Sequence, residues 1–532
     1  MSYPSRLAIL AVLLLAGCRR EAPCARCDVI VIAATGEPSS LLPPVVVETV
    51  GRDISDQIFE RLADLVAGGA PIDTTAYRPR LAARWERVDA VTLRFHLRPN
   101  ARWQDGRPVT ADDVVFSFEA FSDSLLDTPA RAALSGITSV TAEDSSTVVV
   151  RFDRPGPEQL YDATFHVRVF PAHIWRPVGR DTWAADTALG RLVGSGPYRI
   201  ARWDRGQSVT LVADSVEGRR TKLGTAIWRF AADPEAALNL VLSGEADLLE
   251  TVGTPERAAR VEGDSTLRAV RYPAAVYGYL GYQLGARSSR AAVVGDRRVR
   301  QALNMAVDRN ALARAIYGPG SKAPPGPMSQ LLWIWDDSIA VLPYDTAQAA
   351  RALTDAGWAM GPDGIRQKGG RTMAVDILVP STSLGRKRLA EALQEQWRLA
   401  GVAATVTAVD FPVFMERLGK GNFESYIGAW LNEPSPRGLA DQWTAVGVGQ
   451  LNYGRYANPQ FDRLVGEAAA TEDPRAARLI WRAAFDTLNA DAPALFLYAP
   501  VNVAAVSRRV EGFELNPYSW LSGLTAASLK PE

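Results

Sequence analysis

Cysteine, histidine and net charge are all scarce in this chain of 532 residues, and each scarcity closes a class of function. Three cysteines cannot build the disulfide framework of a small secreted scaffold. Two of them, Cys24 and Cys27, form the CxxC "CARC". No second ligand pair lies nearby to make a zinc site, and the motif precedes the first predicted strand rather than following one. A small disulfide or two idle thiols are the readings left open, and no function is assigned. Only His96, His166 and His173 occur, and none stands in an HExxH helix. Basic and acidic residues balance at 59 each, so no global field favours nucleic acid or an anionic membrane. A GxSxG elbow, a P-loop and a full dinucleotide fingerprint are also missing. "GSGPY" sets its serine between adjacent glycines, and "GVGQLN" lacks the last glycine. Neither an enzyme, a cofactor nor a metal site is expected.

The one long apolar run is Leu7–Ala16, preceded by Arg6 and followed by Gly17-Cys18. It is half the ~20 residues a membrane-spanning helix needs. It reads as a signal h-region, residues 1–17, and "LAGC" resembles a bacterial lipobox with Cys18 as the lipidated residue. Residues 18–27 are then a tether, and the mature chain is expected outside the cytoplasm, anchored by lipid to a membrane facing the periplasm or the cell surface.

The rest is 47% apolar and 22% charged overall, as in soluble globular proteins, and long enough for two or three domains. "CDVIVIAAT" is a compact first strand, and "GEPSSLLPP" is a loop. Asp53–Val66 predicts a helix with Ile54, Ile58, Leu62 and Leu65 on one face. Val91, Leu93, Phe95 and Leu97 alternate with polar residues as a half-buried strand, which leaves His96 on the polar face. Thr110 and Asp113 have capping-box spacing, so a helix starts there and turns Val114, Val115, Phe118 and Phe121 inward. Arg386–Ala400 predicts a helix stopped at Gly401, followed by a buried strand "VAATVTAV". "PDG" at Asp363 marks a hairpin turn. The alternation of helix and strand implies α/β lobes.

The segments "LAARWERVDAVTLRFHLRPNARWQDGRPVTADDVVFSFEAF", "GSGPYRI", "LSGEADLL", "DRRVRQALNMAVDRNALARAIYGPG", "AGWAMGPDGIRQKGGR", "LNYGRYANPQFDRLV" and "PALFLYAPVNVAAVSRRVEGFELNPYSW" resemble, in order, the family 5 extracellular solute-binding proteins of ABC transporters. The family includes oligopeptide-, dipeptide- and nickel-binding members. The resemblance implies a two-lobed periplasmic-binding-protein-like α/β fold with an additional inserted domain. Lobe I is expected from 28–55, 192–285 and 495–532, inserted domain II from 56–191, and lobe III from 286–494. It further implies a monomer that encloses a peptide or similar solute between closing lobes and passes it to an ABC permease with a cytoplasmic ATPase. A sensor or peptide chaperone would use the same cleft without a transporter, and an α/β hydrolase is a third class.

Cleft candidates follow from the residues and from family position. In "VYGYLGY", Tyr277 and Tyr279 share one strand face, with glycines beside them that leave backbone open to a ligand. In "GAWLNEPSPRG", Trp430 matches a tryptophan that precedes an aspartate in peptide-binding relatives, where that aspartate holds the α-ammonium. Glu433 stands in the aspartate's place after a shortened loop, and Ser435 replaces a second acid. Arg437 is a candidate for a carboxylate terminus. Ser39, Ser40, Asn452 and Tyr453 are chosen by family position. The arginines 297, 298, 300, 309 and 314 flank two helices capped by Asp296 and Asp308, with Val299, Leu303, Ala306, Leu312, Ala315 and Ile316 inward. They read as a solvated or ion-paired surface. "GARSSRAAVVGD" is expected to cross from lobe I into lobe III.

Overall fold

The computed structural model describes residues 28–530, except 127, 129, 215–220 and 286–292. The signal, Cys18, the tether with Cys24 and Cys27, and most of "GARSSRAAVVGD" lie outside the described residues.

Two large sheets organise the chain. A seven-stranded mixed sheet runs in the order Leu267–Pro273, Val501–Ser507, Leu248–Leu249, Val29–Thr35, Thr225–Ala231, Ser208–Ala213 and Tyr198–Asp204. Its centre is parallel, with Val29–Thr35 between Thr225–Ala231 and Leu248–Leu249, and its middle strand is apolar on both faces because both are covered. A five-stranded sheet runs Ala403–Val409, Ala374–Pro380, Ser425–Leu431, Val276–Tyr282 and Ala494–Tyr498. A four-stranded antiparallel sheet, Ala82–Asp89, Thr92–Leu97, Thr147–Phe152 and Ile137–Ala142, belongs to the insertion. It shares one continuous apolar core with one face of the seven-stranded sheet, from Ile30 and Trp228 to Phe95, Trp103 and Trp183. The insertion and lobe I are therefore packed as one body, and the five-stranded sheet, cored on each face, is the other lobe.

The bodies are joined by two short crossings. Val276–Tyr282, expected with lobe I, pairs instead with Ser425–Leu431 and Ala494–Tyr498 in the five-stranded sheet. Among the described residues the chain thus changes lobes at Ala274–Ala275, before the strand. It returns at Ala499–Pro500, between Ala494–Tyr498 and Val501–Ser507. The crossings touch where the Ala274 amide donates to the Pro500 carbonyl at 2.9 Å.

Local expectations hold where nothing competes with them. Thr92–Leu97 alternates as predicted, and the Thr110–Asp113 capping box is complete at the start of Ala111–Ser122. In that helix Phe116, not Val115, completes the inward face. The first helix is Thr49–Ile58, shorter than the periodicity implies. The Gly196 amide donates to the Ile58 carbonyl at 2.7 Å, capturing the acceptor the next turn would use, and Ala63–Leu65 becomes a strand. Ala403–Val409 is an edge strand and only partly buried. Asp296 and Asp308 cap their helices as expected, although Ala313 takes the inward position given to Ala315. Arg300 is not on the surface. It is 6% exposed and donates to the carbonyls of Val294, Gly295, Asp491 and Ala492, tying two helix ends together. Arg309 is partly buried and donates to the Phe496 carbonyl at 3.3 Å.

"GSGPY" owes its glycines to the same junction. A Cβ on Gly194 would lie 1.8 Å from the Ile58 carbonyl oxygen, a backbone atom that cannot step aside. Gly194→Ala is therefore expected to lower stability by about 2–3 kcal/mol, measurable as a shifted denaturant midpoint at unchanged slope.

Candidate functional site

Between the two bodies lies a cavity of about 410 Å³. The helix Thr49–Ile58, at the junction of lobe I and the insertion, supplies Arg52, Asp53 and Asp56, and lobe I adds Glu250 after Leu248–Leu249, Tyr272, Tyr518 and Trp520. The insertion supplies His166 and Arg168, and the opposite lobe supplies Leu431, Asn432, Glu433 and Pro434. A walled, mixed-charge space at the ends of parallel strands is where α/β folds place ligands.

The loop "LNEP" is held by its own backbone. The Asn432 amide donates to the Ala275 carbonyl at 2.7 Å, and its side-chain oxygen accepts from the Ser329 amide at 2.7 Å. Glu433 is thereby presented across the cleft, where Tyr161 Oη of the insertion lies 3.5 Å from its carboxylate. Surrounding protein raises the Glu433 pKa, opposed by Tyr161 and Arg437.

Arg437 does not wait for a ligand carboxylate. Its guanidinium crosses the seam to two acids of the insertion: Nε lies 2.5 Å from Glu158, and the terminal nitrogens grip Asp162, one of them at 3.1 Å. Ser435 Oγ donates to Glu158 at 2.5 Å. The Glu158 and Asp162 side chains are only 4% and 9% exposed. Burial raises both carboxyls, Glu158 to about 6, and Arg437 opposes the shift. This cluster joins the lobes at the cleft's rim.

The tyrosines sit elsewhere than expected. Tyr277 and Tyr279 do share a strand face, but both are buried in the core of the second lobe and neither borders the cavity. The neighbouring glycines serve aromatic rings instead of a ligand. A Cβ at Gly278 would meet the Tyr498 ring at 1.9 Å, and one at Gly428 would meet Tyr279 at 2.9 Å. Tyr279 Oη accepts from Trp430 Nε1 at 3.0 Å and bonds Tyr426 Oη at 2.8 Å. Tyr277 Oη accepts from Trp443 and donates to Gln442. Trp430 is half-buried and stacks on Tyr453 at 6.1 Å between centroids. It anchors the strand end from which Leu431–Pro434 project.

Asn452 is buried, bonding the Thr444 and Tyr456 carbonyls and the Tyr456 amide, so it staples a loop. Ser40 Oγ accepts from the Leu42 amide, and the Ser39 amide donates to Glu48; neither serine lines the cavity. Of the cleft candidates, Glu433 alone is in the wall.

The groups that line lobe I's side were not singled out. Asp56 accepts from Arg168 at 2.7 and 3.2 Å and from Arg61 at 3.1 Å. Burial would raise its pKa, but the two guanidiniums hold it at about 2. Asp53 accepts from Trp520 Nε1 at 2.9 Å. Burial and the nearby Glu250 push the Asp53 carboxyl well up, and burial lifts Glu250 to about 7. Burial, with Arg168, Arg437 and Arg61 around it, lowers His166 to about 3, so the ring is neutral. "DISD" and the Glu250 that closes "EADLLE" carry a sequence signal: acids at the ends of elements whose other residues are apolar.

Two sheeted bodies linked by two crossings, with a polar cavity between them, define a solute-binding protein of the two-lobed type. The family model described as bacterial extracellular solute-binding proteins, family 5, matches residues 76–448, and the chain belongs to that family. Protein XP55 of Streptomyces lividans is 28% identical over 473 residues, 88% of this chain and 83% of that protein. The oligopeptide-binding protein AppA of Bacillus subtilis is 25% identical over 433 residues, 79% of this chain and 78% of AppA. The solved ABC transporter substrate-binding protein CtaP of Listeria monocytogenes superposes with a TM-score of 0.80 at 21% identity, covering 94% of this chain and 99% of CtaP.

Two outcomes test the site's electrostatics. Removing Arg437 would leave two buried acids without a cation, Glu158 keeping only the Ser435 hydroxyl, and because the guanidinium is 39% exposed the loss falls below the ~3–5 kcal/mol of a fully buried pair. Opening the cleft hydrates them, so Arg437→Met is expected to open the unliganded protein, seen as a larger radius of gyration in X-ray scattering. Asp56 contributes stability that is fully present above its unfolded pKa of 3.8 and is lost as pH falls through about 2. Asp56→Asn should therefore cost about 2 kcal/mol or more at neutral pH, and the gap from wild type should close below pH 3 in denaturation curves.

Proposed function

We propose that this protein captures a peptide or similar small solute between its lobes and delivers it to an ABC permease. The observation that supports this most is the cavity itself: a walled space of about 410 Å³ carrying both acids and arginines, suited to a ligand that carries charges of both signs. The similarity to the oligopeptide-binding AppA favours a peptide over other solutes. Glu433 takes an ammonium from the second lobe's side, where a charge-assisted hydrogen bond strengthens as closure expels water. Trp430 and Tyr453 position that loop, and Tyr277 and Tyr279 support Trp430 from behind. Asn452, Ser39 and Ser40 hold loops, and Arg437 acts on closure.

In this reading the mature protein is a lipid-anchored, extracytoplasmic monomer tethered through Cys18, without catalytic activity. Lobe I comprises 28–55, the segment from 192 to the first crossing, and the chain after the second crossing. The insertion is 56–191, and the intervening chain is lobe III. No helix among the described residues is long and apolar enough to cross a membrane.

Native mass spectrometry of the purified mature protein tests the reading. A heterogeneous set of copurifying peptides is expected, and a metal chelate or sugar would overturn it. A binding peptide should raise the melting temperature, because it binds the folded state alone. Glu433→Gln should weaken peptides with a free amino terminus by about tenfold and leave N-acetylated ones unchanged; equal loss on both would remove Glu433 from ammonium recognition.

A further inference from the structure

A second cavity, about 390 Å³, adjoins the first, and the two share Thr49, Asp53, Glu250 and Trp520 as a common wall. It lies over the ends of Val29–Thr35 and Leu248–Leu249, with Trp228 behind. Four carboxylates line it, Glu37, Glu48, Asp53 and Glu250, and no lysine or arginine does among the described residues. Glu37 is occupied by Trp203, the Gly206 amide and Arg205. Asp53, which accepts from Trp520 Nε1, and Glu250 both stand in the wall common to the two cavities, and the charge of Glu250 adds to burial in raising the Asp53 carboxyl.

An independent mark of a ligand is His166 in the main cavity. Its residue is 6% exposed, and its Nε2 is buried without a hydrogen-bond partner, a cost that a ligand atom would relieve. Arg61, Arg168 and Arg437 surround the ring and keep it neutral. That wall accepts a carbonyl or carboxylate and repels a cation. The acid pair on lobe I's floor has the opposite preference.

We propose that Asp53 and Glu250 form a subsite for a cationic side chain, ammonium or guanidinium, that reaches through the main cavity toward the second one against Trp520, while His166 hydrogen-bonds an oxygen of the same ligand. The ligand is thereby oriented, with its basic group toward the lobe I sheet and an oxygen toward the insertion. The solute class narrows to molecules bearing a basic group apart from any ammonium held by Glu433. This rests on the ligand-capture reading above, although it does not require the ligand to be a peptide.

Calorimetry on the purified mature protein tests it with Ala-Lys-Ala, its norleucine analogue Ala-Nle-Ala, and agmatine. Ala-Lys-Ala should bind at least about tenfold more tightly than Ala-Nle-Ala. Glu250→Gln and, separately, Asp53→Asn should erase that preference, and His166→Phe should weaken both tripeptides together. Equal binding of the two tripeptides to the wild type, or a lysine preference that survives in Glu250→Gln, overturns the proposal. Should neither tripeptide bind, the peptide reading fails, and agmatine decides the subsite. Binding lost in Glu250→Gln supports it, and no binding, or binding unchanged in that variant, overturns it. Thermal melting of each variant separates loss of the subsite from loss of the fold, and Glu250→Gln stands alone if Asp53→Asn does not fold.

Discussion

The seam between the lobes depends on one cationic side chain lying against two acids across it. Arg437 comes from the loop that carries Glu433, and Glu158 and Asp162 come from the insertion. Neither acid can be left dry and unpaired, so their burial is tolerable only while the guanidinium is present. The same loop therefore presents a cavity group and clamps the rim. Tyr161, in the helix that carries Asp162, reaches Glu433, which links the clamp to the cavity in a few ångströms. In the proposed reading, a ligand that engages Glu433 acts on the segment whose partner holds the lobes together, which would couple occupancy to closure.

The scaffold behind the loop is built differently. Where the rim uses charge, the second lobe uses aromatic rings with their polar ends satisfied: Tyr426, Tyr279 and Trp430 form one hydrogen-bonded chain, and Trp443 bonds Tyr277. Such networks fix geometry because each member, once buried, has few alternatives. The lobe I floor is polar but guarded by its own pairings, with Asp56 locked between two arginines.

Sequence patterns disclosed the lobes through alternation, caps and glycine-bounded segments, and the ordered motifs disclosed the family. The capping box at Thr110, the stop at Gly401 and the turn at Asp363 are local devices, and local devices can be read locally. The misreadings share one cause, a partner far away in the chain. The helix from Thr49 ends at Ile58 because Gly196 takes its carbonyl. Arg300 is buried because carbonyls nearly 200 residues on need a donor. The glycines beside Tyr277 and Tyr279 read locally as open backbone, but Tyr498 and Tyr426 fill that space. His166, Asp53 and Glu250 could not be chosen from sequence, since an acid or a histidine acquires meaning here only from which wall it joins.

The two crossings have a mechanical corollary. At Ala274–Ala275 and Ala499–Pro500 the chain passes between sheets beside each other, fastened by the Ala274–Pro500 bond, and every other ladder lies wholly within one body. Rotation about that pair works like a door on two adjacent pins. It changes a handful of backbone dihedrals and leaves each sheet's register intact, so swinging the lobes consumes no ladder hydrogen bonds. The loop that carries the charged clamp is itself bonded to one pin, through the Asn432 amide and the Ala275 carbonyl, so one short segment joins the pivot to the contacts that hold the lobes together.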